Sequence, residues 1–254
     1  MTINILPEVT VLFLLLFARL GALVMLMPAL GEQAIPTRVR LSFALVLTLV
    51  FYPTISASLP QGLANDTPAL IFAMVTEVLI GLAFGLISRL LLSVTQVAGA
   101  SIAANMGLGF SQTLDPTMGQ QGAIVGSFLG VTGMMLIFAS NLHHVAIAGI
   151  AGSYAMFPPG EMLPVADFRD AAVMTIAESF KIGIQISAPF IVFGLIFNLG
   201  LGVLGKLMPQ LQAYFLALPV SIFVGLILLA LLTGTILTWY LNHVQAGLMR
   251  LVAG

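Results

Sequence analysis

The chain has no cysteine. That removes disulfides, thiol nucleophiles, Cys-ligated zinc and iron–sulfur clusters from consideration. Charge is nearly as scarce: Asp, Glu, Lys and Arg make up 7% of its 254 residues, where soluble domains carry about 25%. The formal net charge of −1 offers no basic stripe for nucleic acid or for an anionic membrane surface. No G-x-S-x-G elbow, H-E-x-x-H pair or P-loop occurs, and Ser127 and Ser153 stand outside any nucleophile motif. No cofactor and no catalytic residue is expected. The opening Met1-Thr2-Ile3-Asn4-Ile5 lacks a basic segment, so the first apolar run is expected to stay as a helix and not be cleaved as a signal peptide.

Hydrocarbon is what the chain has in abundance. Hydrophobic residues make up 60% of it, and mean hydropathy is +1.14. This is the composition of an integral membrane protein, with room for about six or seven crossings of about 20 residues each. Six apolar runs stand out: Val9–Met27, Leu41–Leu59, Ala69–Ile87, Ala123–Ala139, Ala171–Leu204 and Tyr214–Tyr240. The third continues in helix-compatible sequence through Arg89 to Ala104. A shorter run, Val145–Phe157, has the length of a half-span or interfacial segment. The expectation is an all-α membrane protein of about six kinked apolar helices arranged as hairpins. Proline sits inside three runs, at Pro53, Pro189 and Pro219, and the fifth run is expected to break at Pro189.

Turn chemistry separates the runs. Pro28 and Gly31 stop the first, Asn65-Asp66-Thr67-Pro68 introduces the third, Pro158-Pro159-Gly160 closes the short run, and Met208-Pro209-Gln210 turns the last pair. Arg38, Arg40 and Lys206 fall in the first and fifth loops, while the second and fourth are acidic. By the positive-inside rule the odd loops are cytoplasmic and both termini outside.

Four charges lie inside apolar runs: Arg19, Glu77, Glu178 and Lys181. A charge at the centre of a spanning helix costs about 2.5–3.5 kcal/mol on insertion scales. Such groups face a partner, a polar cavity or a conduit, not lipid. Glu178 and Lys181 are three apart and suit either a local ion pair or a proton relay. Glu77 and Arg89 are separated by about 18 Å along one helix, so Glu77 needs a partner elsewhere or a proton. An ion-coupled transporter using Glu77 and Glu178 is the alternative function these residues leave open.

Small residues form two stripes. Gly81 and Gly85 are one turn apart, and Gly122, Gly126, Gly130 and Gly133 form a longer ladder. Either stripe lets another backbone approach closely, within this chain or from a neighbouring subunit. Gly200-Leu201-Gly202-Val203-Leu204-Gly205 spells G-x-G-x-x-G, but no strand precedes it and no acid follows at the required distance, so it is not a dinucleotide site. The pair His143-His144 next to Asn141 suits polar contacts at a membrane boundary better than a metal, because adjacent helical residues diverge by about 100°.

The segment Asn105–Gly122 is the most unusual loop. It mixes glycine and amides with Met106, Phe110 and Met118, and its one charge is Asp115, followed by Pro116. Loops this long in a compact fold tend to be functional, and methionine suits a contact that must re-form after disturbance. The composition favours a gating or plugging loop over a floppy linker.

Order and spacing of several short motifs resemble the FliR/SctT family, the R subunits of type III export gates. They are Pro28-x-x-Gly31 with Ile35-Pro36-x-Arg38-x-Arg40, Glu77-x-x-x-Gly81-x-x-x-Gly85, Gln96-x-x-Gly99, Met106-Gly107 and Asp115-Pro116. Asn141-x-His143-His144, Phe157-Pro158-Pro159-Gly160, Asn198-Leu199-Gly200, Met208-Pro209-Gln210-Leu211, Pro219 and Gly225 complete the series, which covers nearly the whole chain. Asn105 departs from it, since similar proteins often carry Gln there.

The resemblance implies a non-enzymatic core subunit of the flagellar export gate. With several copies of the P and Q subunits (FliP, FliQ) it would form a hetero-oligomeric helical channel for unfolded flagellar proteins, usually with one R subunit per gate. The setting would be the basal body in the bacterial inner membrane, in contact with lipid, FlhB and FlhA. Residues of roughly 1–170 would be a P-like part and 171–254 a Q-like hairpin. Met106–Gly122 would be the plug loop, including Gly107, Phe110, Asp115, Pro116 and Met118. The hairpin tip, with Lys206, Pro209, Gln210 and Gln212, would meet FlhB on the cytoplasmic side. Gly81, Gly85, Gly126 and Gly130 would serve subunit packing, and the assembled gate would sit largely above the bilayer plane.

Overall fold

Eight α-helices account for almost every described residue of the computed structural model, which describes residues 5–27, 35–60, 62–108, 123–160, 164–207 and 213–253. They are α1 (Ile5–Leu26), α2 (Thr37–Ile55), α3 (Thr67–Leu92), α4 (Val94–Asn105), α5 (Ala123–Ala139), α6 (Leu142–Met156), α7 (Val165–Leu207) and α8 (Ala213–Ala253). Short 3-10 turns at Ser56–Ser58 and Leu63–Asn65 lead from α2 to α3. No strand occurs among the described residues. Among the described residues, five helical stretches are long and apolar enough to cross a membrane, with α3 and α4 taken together as one. A sixth is added if the broken pair α5 and α6 counts as a span. The protein is an all-α membrane protein, as the apolar runs require.

Local chemistry sets the boundaries. Asp66 caps α3, its carboxylate accepting the Ala69 amide at 3.2 Å. The break between α5 and α6 falls at Asn141, whose φ of 59° is left-handed; asparagine tolerates that region better than most residues. The expected break at Pro189 is not present: α7 runs unbroken through it for 43 residues, as α2 runs through Pro53 and α8 through Pro219. Proline removes one donor and crowds one carbonyl, and in an apolar setting the rest of the helical ladder stays the only place for backbone polar groups. At 1.5 Å per residue α7 and α8 are each about 60 Å long, twice a hydrocarbon core of about 30 Å. About half of each helix is more than one perpendicular crossing needs.

The chain divides into two compact units that interleave along the sequence. The first comprises Met1–Leu91, Ser140–Ile176 and Gln245–Gly254. Its core is built on one face of α1, where Leu12, Leu16, Leu20 and Leu23 recur at helical spacing. They pack with Ile55, Leu59, Ile80, Phe84, Ile150 and Tyr154. Phe84, Phe157 and Phe168 close one side, with ring centroids 5.0–5.6 Å apart. The second unit comprises Leu92–Ala139 and Ala177–Val244. There α4 is the buried centre: Val94, Ala98, Ile102, Ala103 and Met106 are all essentially inaccessible. Outward faces of both long helices remain apolar, with Leu195, Ile196, Leu199, Val203, Leu207, Phe223 and Leu231 exposed.

Candidate functional site

In the first unit, α3 presents Glu77, Gly81 and Gly85 on one stripe, each a turn from the next. The absence of side chains at the two glycines lets α1 come against α3 backbone to backbone. A Cβ on Gly81 would strike the Arg19 carbonyl, and one on Gly85 would lie 2.7 Å from the Leu26 Cβ. That approach delivers Arg19 to Glu77. The guanidinium donates from Nε to Oε2 at 2.6 Å and from Nη2 to Oε1 at 2.9 Å, a bidentate fork.

The rest of the guanidinium is also engaged. Nη2 donates to the Phe157 carbonyl at 2.9 Å, and Nη1 to the Ser153 carbonyl at 3.1 Å and the Ser153 Oγ at 3.5 Å. The Tyr154 ring lies under the cation, 3.9 Å from centroid to Cζ. Arg19 and Glu77 are both 0% exposed. The arrangement ties α1, α3 and the C-terminal end of α6 together: Arg19 supplies a donor to the Phe157 carbonyl just past α6 and a second donor to the Ser153 carbonyl, which already accepts the Phe157 amide. Chemically it is a satisfied ion pair. Both Glu77 oxygens accept from Arg19, which suits structural cross-bracing.

The other in-span charges differ. Glu178 is half-buried and Lys181 exposed on α7, and Arg89 is exposed on α3. Immediately after Glu178, the second unit buries a polar contact that sequence reasoning did not single out: Ser179 Oγ lies 3.4 Å from His243 Nε2, joining α7 to α8. The His143 and His144 rings sit 4.1 Å apart and tilted by 38°.

In the second unit the glycine ladder is occupied within the chain. A Cβ on Gly99 of α4 would overlap the Gly126 backbone of α5, Gly126 faces Gln96, Gly130 faces Thr95, and Gly133 receives the Tyr240 ring of α8. Gly122 lies outside the described residues. Gly200, Gly202 and Gly205 all lie inside α7, and among the described residues no atom beyond their own helical turn lies within 4 Å of where a Cβ would stand. A helix, not the strand-to-helix turn of a nucleotide site, carries that motif.

The root of the long loop is well defined. Met106 ends α4 and Gly107 adopts a φ of 85°. Gly107 donates to the Ala104 carbonyl at 3.2 Å and Leu108 to the Ala103 carbonyl at 3.0 Å, the paired bonds of a Schellman stop. Only glycine takes this conformation without steric cost. Met106 is 0% exposed. Phe110, Asp115, Pro116 and Met118 lie outside the described residues, as do Pro209, Gln210 and Gln212 of the hairpin tip. Lys206, at the end of α7, is exposed.

Sequence reasoning found Arg19, Glu77 and the two glycines beside Glu77 but did not join the arginine to the glutamate. It missed Tyr154, and it missed the carbonyls of Ser153 and Phe157. Pairing the two charges of the first and third runs was the available signal for the first omission. None existed for the second, since aromatic rings and carbonyls occur in every run.

A model of the bacterial export proteins, family 1, matches residues 10–247. The chain is 43% identical to the flagellar biosynthetic protein FliR of Caulobacter vibrioides, over 89% of this chain and 90% of that one. It is 31% identical to the FliR of Bacillus subtilis, over 85% and 84% of the two chains. It is 21% identical to the Yop proteins translocation protein T of Yersinia pestis, over 86% and 84%.

Proposed function

The chain belongs to the bacterial export proteins, family 1, as a membrane component of a flagellar export apparatus, and from that premise we propose that it is a structural core subunit of the export gate. With P and Q subunits (FliP, FliQ) it builds the channel through which unfolded flagellar proteins leave the cell, in the inner membrane at the basal body. It acts by shape and assembly and carries out no chemical step. The segment 1–170 acts as the P-like part and 171–254 as the Q-like hairpin. The hairpin tip, with Lys206, Pro209, Gln210 and Gln212, meets FlhB from the cytoplasmic side, and FlhA lies within the same apparatus. The loop Met106–Gly122 closes the channel at rest and moves aside for substrate.

The observation that carries this reading is the outer surface of α7 and α8. Each helix is about twice the length a bilayer crossing needs, and each keeps a long apolar face uncovered by the other described residues. Open glycines at Gly200, Gly202 and Gly205 lie on the same stretch. Apolar surface beyond the hydrocarbon requires protein neighbours. The rival reading, an ion-coupled transporter working through Glu77, is weakened by the commitment of both Glu77 oxygens to Arg19.

Affinity purification of the tagged chain from flagellated cells, followed by mass spectrometry, tests the assembly. Unlike small membrane proteins should co-purify in a stable complex. A monodisperse chain running alone, stable in detergent, would sink the proposal. Deleting residues 110–121 tests the loop: the complex should still assemble while ions leak across the membrane at rest. A tight membrane after that deletion removes the plug role.

A further inference from the structure

The sockets that hold the loop root belong to the two long helices. On α7, Gly194 lies under Asn105: a Cβ there would stand 2.6 Å from the Asn105 Oδ1 and 3.1 Å from its Cβ. On α8, Gly225 lies under Met106: a Cβ there would stand 2.5 Å from the Met106 Cγ, 2.9 Å from Cε and 3.0 Å from Cβ. The crowded atoms include the base of each side chain, so neither residue escapes by rotating its tip. Ser221, a turn before Gly225, is buried beside Gly107. Asn105 is further tethered by donation from Nδ2 to the Ser101 carbonyl at 2.8 Å. Three consecutive residues thus fit depressions on two different helices, at the point where a left-handed glycine stops α4.

We propose that Asn105–Leu108 is a fixed post, with Gly194, Ser221 and Gly225 as its positioning residues, and that it stays seated on the α7–α8 hairpin while substrate passes. This rests on the reading of Met106–Gly122 as the closing loop. It deepens that reading by assigning which end of the loop does not move and what holds it. The physical reason is packing. Met106 is wholly buried, and withdrawing it would open a void against Gly225. The Schellman bonds fix the direction in which the chain leaves α4 as far as Leu108.

The lack of native cysteine makes the test clean. A Cβ on Gly107 would stand 3.8 Å from the Ser221 Cβ, the mean separation across a disulfide, about 3.8 Å. The variant G107C/S221C is expressed in place of the native chain in flagellated cells, oxidised, and scored by protection of its thiols from a maleimide reagent. The expected result is a bond in the assembled complex with export of filament protein unchanged. Failure of the bond to form there overturns the proposal, and so does export that stops on oxidation and returns on reduction.

A cysteine at a φ of 85° carries strain, so Gly225→Ala provides a second test. Its methyl must displace Met106 while the rest of α8 stays in register. The expected result is normal complex abundance with loss of the resting ion barrier, read by a membrane-potential dye, and recovery of the barrier in G225A/M106A, where the side chain that the methyl displaces is shortened. An intact barrier in Gly225→Ala overturns the positioning role, and so does loss of the complex itself. The deletion of residues 110–121 separates the two ideas: a tight membrane there removes the plug, whereas a leak there with a negative cross-link removes the post alone.

Discussion

Breaking the Arg19–Glu77 pair on one side is predicted to cost far more than removing it altogether. Glu77→Leu leaves a guanidinium with two carbonyls and a tyrosine face but no counter-charge. Arg19→Met leaves the carboxylate with no donor among the described residues. Removing one partner of a buried pair costs about 3–5 kcal/mol, whereas replacing both with apolar residues of similar volume is often neutral or stabilising. The double variant R19M/E77L still leaves the Phe157 carbonyl without its arginine donor in an apolar pocket, a penalty of about 1–3 kcal/mol, while the Ser153 carbonyl keeps the Phe157 amide. That penalty is shared with Arg19→Met and absent from Glu77→Leu. The order of stability expected is therefore native, then the double variant beside or above Glu77→Leu, with Arg19→Met lowest. For a chain of this size each kcal/mol moves the melting midpoint by about 2–4 °C, so Arg19→Met, with about 3–5 kcal/mol for the broken pair and about 1–3 for the carbonyl, should melt about 8–32 °C below native. The assay is thermal unfolding of the purified complex by loss of intrinsic fluorescence or by aggregation. A double variant as unstable as the sum of the singles would refute the coupling, and with it the claim that the pair acts as one brace.

Two glycines of the first unit should respond with opposite sign. Gly81→Val drives a side chain into the Arg19 backbone and should destabilise by about 1–3 kcal/mol or more, whereas Gly21→Ala, whose nearest neighbour is the Phe17 ring edge at 4.0 Å, should stabilise α1 by up to about 1 kcal/mol; the same melting assay reads both, and equal effects would contradict the close α1–α3 approach. The Tyr154 hydroxyl is buried without a hydrogen-bond partner among the described residues, so Tyr154→Phe should be neutral or slightly stabilising, while Tyr154→Leu should lose about 2 kcal/mol with the desolvated cation–π contact. A large loss in Tyr154→Phe would mean that the hydroxyl, not the ring, holds the arginine.

Composition alone was enough for the membrane class and the helical architecture, because a bilayer leaves an uncharged apolar run few backbone options other than helix. The turn at Asp66 and the end of α4 near Asn105 were legible for a similarly local reason, since each depends on residues within one turn, whereas the end of α8 was not: it runs 13 residues past Tyr240. The Glu77–Gly81–Gly85 stripe was visible too, since helical spacing is written in the sequence. Neighbours were not. Helices that are apolar nearly all round carry little directional signal, so periodicity cannot say which face meets which helix. Tertiary packing decided that Glu77 meets an arginine 58 positions earlier. It also turned the glycine ladder toward α4 and α8, and set Gly194 and Gly225 beneath Asn105 and Met106. The continuity of α7 through Pro189 was settled at the same level: the local rule predicts a break, and an apolar environment with nowhere else to satisfy the backbone keeps the helix whole.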